Sequence, residues 1–126
     1  MKEIKWHGDT LITSPDYCLV LTEEDYHLAL DVLKIPKDGR SPWLLNDQCG
    51  ATLHTFDDNH VVSLMYTNQV NLIVYGLLVH ESVHIWQQFC ERIGENSPSI
   101  EFEAYSIQRI SQNLMSLFDD LTGGLK

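Results

Sequence analysis

One stretch near the middle of the chain carries two histidines and a glutamate at a spacing that suits metal chemistry. His80 and His84 are four residues apart, and Glu81 directly follows the first histidine. On an α-helix, residues i and i+4 lie one above the other, so both imidazoles can reach one tetrahedral metal ion. Glu81 lies about 100° further round the helix, within reach of a water on that ion. The H-E-x-x-H pattern therefore predicts a catalytic zinc site with Glu81 as its general base.

The residues around this trio are mostly apolar: Leu77, Leu78, Val79, Val83 and Ile85. A charged glutamate among such neighbours is costly unless something pairs with it, and a water on a metal ion would do so. This setting favours a metal site over the alternative of a metal-free amphipathic helix with two surface histidines.

A catalytic zinc generally has three protein ligands and one open position. The chain is expected to turn back after Gly94, so that a second helix packs antiparallel to the first. Two carboxylates lie near the start of that second helix. Glu103 falls inside its apolar stripe, and Glu101 lies at the edge of the stripe beside Ala104. Periodicity alone leaves both residues open as the third ligand.

The combination of H-E-S-V-H at 80–84 with E-F-E-A-Y at 101–105 resembles the gluzincin metallopeptidases. It is similar in particular to small single-domain proteins of this kind encoded in phage and prophage genomes, over about residues 60–118. The resemblance implies a zinc cofactor, a peptide or protein substrate, and Glu101 as the third zinc ligand. Tyr105 stands where the family often has Asp or Asn.

The expected reaction is hydrolysis of a peptide bond. Glu81 takes a proton from the water that zinc activates and passes it to the leaving amine. Tyr105, or else His54 or His60, is a candidate donor to the oxyanion. The hairpin strand ending near Tyr66 is expected to offer its edge to an extended substrate.

An alternative function from another class is a catalytically silent zincin-fold protein that serves in binding or phage assembly. Such a protein would keep zinc as a structural clamp, with its fourth coordination position closed. The amides that follow the second histidine, Gln87 and Gln88, are interpreted as helix-surface residues, although the i+4 spacing of Gln88 from His84 would also suit an orienting role.

Local sequence patterns predict the elements that must position these residues, and together they indicate an α+β fold in one domain over residues 1–126. The prediction comprises a strand at 17–21, a helix from the N-cap Thr22 to Pro36, a loop at 36–50, strands at 51–56 and 61–66 joined by a turn at 57–59, and helices at 68–93 and 97–121. Ser97 is predicted to be the N-cap of the last helix, with Pro98 in its first position. The two strands form an antiparallel hairpin, and the two long helices form the zincin core.

Composition excludes several other classes of function. The chain has 126 residues, 44% of them hydrophobic, with 18 acidic and 8 basic residues and a net charge of −10. This charge argues against a nucleic-acid or anionic-membrane partner. The first ten residues lack the apolar core of a signal peptide, and the three cysteines form no CxxC pair, so a cytoplasmic protein with reduced thiols is expected. The oligomeric state stays open.

Overall fold

The computed structural model describes residues 3–8, 16–43 and 60–124 with their side chains, and residues 51–56 by their backbone alone. Its elements are, in chain order, β1 (Asp16–Val20), α1 (Glu23–Val32), a short 3-10 turn (Lys37–Gly39), β2 (Ala51–Phe56), β3 (His60–Met65), α2 (Leu72–Ile93) and α3 (Ile100–Thr122). The predicted α+β class is confirmed, with two long packed helices at the C-terminal end. The predicted turn at 57–59 lies outside the described residues.

The sheet has three strands in the order β1-β3-β2. The predicted hairpin is confirmed, since β2 and β3 pair antiparallel from Ala51 opposite Met65 to Phe56 opposite His60. The predicted antiparallel hairpin is not the whole sheet, because β1 pairs parallel to β3, with Asp16 opposite His60. Every residue of β3 is buried except the half-buried His60, as expected for a central strand covered on both faces.

The first helix begins where its capping chemistry predicts. The hydroxyl of Thr22 accepts a hydrogen bond from the backbone N–H of Asp25 at 3.1 Å. The helix ends at Val32, before the predicted stop at Pro36, because Lys34 adopts a left-handed backbone with φ of 60°. This early end starts the loop that leads to Arg40.

A buried arginine holds that loop against α1. Arg40 donates to the carbonyl of Ile35 from Nε at 3.0 Å and from Nη2 at 2.7 Å. Its Nη2 also donates to Asp31 at 2.6 Å, and its Nη1 lies 3.0 Å from Nδ1 of His27. We call these four residues the Arg40 clamp.

The two long helices are defined by their caps. Asn71 caps the start of α2 by accepting from the N–H of Val74, and Gly94 ends it with a left-handed φ of 72°. The predicted N-cap of α3 at Ser97 is wrong: Ser99 is the cap and accepts from the N–H of Phe102. Pro98 therefore precedes the helix instead of opening it. Gly123 ends α3 with φ of 87°.

The core lies on both faces of the sheet. One face packs against α2 and α3, with Met65, Leu78, Ile85, Leu114 and Phe118 among its buried residues. The other face packs against α1, where Trp43 contacts Tyr26 and Tyr66.

Two of the cysteines, Cys18 and Cys90, are buried free thiols, in agreement with the prediction of reduced cysteines. Cys49 lies outside the described residues. Within the part of the chain that the structure describes, no helix has the combined length and apolar character that a bilayer crossing requires.

Candidate metal centre

The predicted trio lies on α2, midway along the helix. Because α2 packs against α3 and against the backbone of β2, one side of it is buried and the other faces solvent. Leu78, Ser82 and Ile85 point into the core. His80 lies on the solvent side, with 65% of its side chain exposed, and His84 is half-buried. Glu81 lies on the buried side of α2.

The two imidazoles are brought together as the spacing predicts. Nε2 of His80 and Nε2 of His84 are 3.1 Å apart, and the rings meet edge to face at an interplanar angle of 82°. Two imidazole nitrogens on one tetrahedral zinc, each about 2.0–2.1 Å from the ion, would be separated by about 3.3–3.4 Å. The two Nε2 atoms therefore need to move only slightly further apart to bind the same zinc ion.

Glu81 is the buried member of the trio. Glu81 is 1% exposed, and its Oε2 lies 3.8 Å from Nε2 of His80. That oxygen is buried with no hydrogen-bond partner. Burial raises the pKa of the Glu81 carboxyl, and the neighbouring His84 and His80 partly oppose this rise. A carboxylate in this setting is more basic than usual and has a free lone pair.

These three side chains fit a divalent metal ion. One ligand atom from each of His80, Glu81 and His84 lies within 4.8 Å of the others, and no further residue joins the group among the described side chains. Two neutral imidazoles are ligands that zinc accepts, and the carboxylate beside them could accept a hydrogen bond from a water on the ion. The orphaned oxygen of Glu81 supports the same conclusion, because a buried acceptor without a partner is rare unless a ligand or water completes it.

The two candidate third ligands are placed differently. Glu103 is half-buried, and its Oε2 accepts a hydrogen bond at 2.8 Å from the indole Nε1 of Trp86 on α2. Trp86 itself is 3% exposed and lies in the core. Glu103 therefore serves the packing of α3 on α2 and does not join the histidines.

Glu101 is not brought to the trio either. It is exposed, and its position two residues before Glu103 puts it on the outer side of α3. Glu101 is not part of the metal-binding group found among the described side chains. Its ligand role stays a prediction.

The structure describes the side chains of two of the other predicted donors, Tyr105 and His60. Tyr105 is 67% exposed on α3. His60 opens β3, where its ring contacts Trp6 and lies 3.9 Å from Asp16. The side chain of His54 lies outside the described part of the chain. None of these residues belongs to the metal-binding group found among the described side chains.

Two features differ from what the sequence predicted around the site. The strand that ends near Tyr66, β3, is the central strand, so it cannot offer an edge to a substrate. The outer strand that lies beside α2 is β2. In addition, Gln87 is more than a surface amide, because its Oε1 lies 3.0 Å from Nδ1 of His84. Its i+3 spacing from His84 was the signal in the sequence.

Comparison with protein-family models, with curated proteins and with solved structures finds no match for this chain. Its function must therefore be inferred from the trio of His80, Glu81 and His84.

Proposed function

We propose that this protein is a zinc-dependent metallopeptidase in which His80 and His84 hold the ion and Glu81 is the general base. The observation that carries the proposal is the contrast within the trio. The paired imidazole nitrogens are open to solvent, while the carboxylate beside them is buried with one oxygen unsatisfied. This arrangement suits a base that must meet a water at the ion.

Zinc held here would supply a Lewis acid for a substrate carbonyl and a water that ionises near neutral pH. Glu81 accepts the proton of the attacking water at Oε2, the oxygen that has no other partner. It then donates this proton to the leaving amine. Its burial keeps the carboxylate poorly solvated and therefore a stronger base than an exposed glutamate.

The third ligand and the substrate surface are part of the proposal. Glu101, which is exposed, takes the ligand role on the strength of the gluzincin resemblance. The outer strand β2, rather than β3, is the edge on which an extended peptide would pair beside α2. An oxyanion donor from Tyr105 would come from the same exposed side of α3 as Glu101.

The alternative of a structural zinc clamp is favoured less by the geometry. A structural site usually surrounds zinc with four protein ligands. The described side chains offer a group of three, one of which is 65% exposed. Such a site leaves room for water and substrate at the ion.

The proposal is tested by zinc titration and by hydrolysis of a peptide library. We expect about one zinc per chain, lost in H80A and in H84A. E81Q should keep the zinc and lose activity by about 10²–10⁴-fold, since only the base is removed. E91Q, a change of the same type at an exposed position of α2, is the matched control and should behave as the parent protein.

Two outcomes would contradict the proposal. A parent protein that takes up no zinc from excess metal would refute the metal site. A parent that binds zinc but cleaves no peptide, or an E81Q variant as active as the parent, would refute the peptidase mechanism and leave the structural clamp as the better explanation.

A further inference from the structure

We infer that Gln87 is a positioning residue of the metal centre, which holds His84 in the one tautomer that leaves its Nε2 free to bind a metal ion. The inference builds on the proposed function, because it concerns how the same site is prepared for its ion. Its starting point is the contact between Oε1 of Gln87 and Nδ1 of His84, at 3.0 Å.

The contact fixes where the ring proton of His84 lies. A carboxamide oxygen can only accept a hydrogen bond, so Nδ1 of a neutral His84 must carry the proton. The lone pair of the ring is then at Nε2, the nitrogen that faces His80. A histidine that binds metal through one nitrogen typically donates from the other nitrogen to an oxygen, and Gln87 provides that oxygen here.

The same reasoning shows which of the two imidazoles donates the hydrogen bond between them. Nε2 of His80 lies 3.1 Å from Nε2 of His84. Since His84 can only accept there, His80 donates from its Nε2 to His84. The chain of hydrogen bonds therefore runs from His80 through His84 to Gln87. Metal binding requires His80 to move its proton away from Nε2, whereas His84 needs no change. Gln87 thus prepares one of the two imidazoles in advance.

The neighbouring amide provides a matched comparison. Gln88 has the same side chain, is half-buried, and makes no hydrogen bond to either histidine in the described structure. Gln87 is exposed, so its replacement removes the oxygen without opening a cavity in the core. An effect confined to position 87 therefore reports on the bond to His84 and not on the packing of α2.

The experiment combines zinc titration with ring nitrogen NMR of the metal-free protein. Four variants form two pairs: Q87L and Q87E, and the controls Q88L and Q88E. We expect Q87L to weaken zinc binding about 10-fold or more, the usual loss when a partner of a ligand histidine is removed. Q87E retains an acceptor oxygen and should bind at least as well as the parent. Q88E shows how much a negative charge alone contributes.

The NMR measurement is independent of metal and of activity. In the parent protein the ring proton of His84 should be found on Nδ1, and in Q87L this preference should be lost. Q88L should resemble the parent in both measurements.

The outcomes separate this inference from the proposed function. If the parent binds zinc and Q87L binds it within about twofold of the parent, Gln87 has no positioning role and the metal site stands. A parent whose His84 carries its proton on Nε2 would overturn the inference in the same way. If the parent binds no zinc at all, the proposed function fails and the positioning role fails with it.

Discussion

In the part of the chain that the structure describes, two clusters bring a helix histidine to charged neighbours, and they are built in opposite ways. In the Arg40 clamp, the arginine side chain is 4% exposed, and its guanidinium donates to Asp31 and twice to the Ile35 carbonyl. His27 takes the remaining contact at its Nδ1. In the trio on α2, Glu81 is equally buried, yet its Oε2 has no hydrogen-bond partner.

The difference shows how structural and functional polar groups can be told apart. A buried charge each of whose nitrogens has a hydrogen-bond partner stabilises the fold locally and has little capacity left for a ligand. A buried acceptor without a partner lowers stability, and such groups are concentrated where a ligand or substrate completes them. The Arg40 clamp belongs to the first kind, and the trio belongs to the second.

The largest expected effect is on the Arg40 clamp. R40M should lower the free energy of unfolding by about 2–3 kcal/mol, because it removes the charge-assisted hydrogen bonds that the buried Arg40 side chain makes to half-buried Ile35 and His27 and to exposed Asp31. R40K should lose less, since one ammonium keeps the charge but cannot reproduce the guanidinium fork. Urea unfolding of the three proteins measures the difference. A stability of R40M equal to that of the parent would contradict the structural role of the clamp.

The next effect compares two glutamates. In metal-free protein, E81L should raise the free energy of unfolding by about 1–3 kcal/mol, because a buried acceptor without a partner is replaced by an apolar group of similar size. E103L should lower it by about 1–2 kcal/mol, because the indole N–H of Trp86 loses its acceptor. Thermal and urea unfolding in the presence of a chelator measure both changes. A destabilised E81L would mean that Glu81 has a structural role after all.

The smallest effect is a pH dependence within the Arg40 clamp. The hydrogen bond from Arg40 lowers the pKa of the Asp31 carboxyl below its usual value. The Asp31–Arg40 bond therefore contributes its full stabilisation above about pH 4, the pKa of Asp in the unfolded chain. This stabilisation is lost as the pH falls through the lower pKa of Asp31 in the folded state. D31N should be slightly less stable than the parent at neutral pH, and this gap should close in acid. Urea unfolding midpoints of D31N and the parent at several pH values test this prediction. A stability difference that widens in acid would contradict it.

Much of the fold could be predicted because local signals and packing agree. Thr22 caps α1 and Gly94 ends α2, since a side-chain oxygen and a left-handed glycine are needed at those points. The hairpin also followed from two segments of strand-like composition separated by turn-forming residues in the sequence. The start of α3 was misplaced because Ser97 and Ser99 are both good caps, and the choice between them depends on where the turn brings the helix onto its neighbour.

The site was predictable only in part, for a physical reason. The trio depends on helical periodicity alone, so His80, Glu81 and His84 lie where their spacing puts them. The roles of Glu101 and Glu103 depend on the register and rotation of α3 against α2, which no local pattern specifies. The hydrogen bond between Trp86 and Glu103 links the two helices, and no pattern in the sequence shows that these two residues pair.

The parallel pairing of β1 with β3 has a consequence for the order of folding. The hairpin of β2 and β3 needs only a short loop to close, whereas β1 must return over a long stretch of chain to reach β3. Closing the longer loop costs more entropy, so we expect β1 to dock late. Tyr17 of β1 receives a hydrogen bond from Asn113 of α3 and completes the core on which α2 lies. The N-terminal third, which carries no motif of its own, thus provides the last part of the support beneath the histidines.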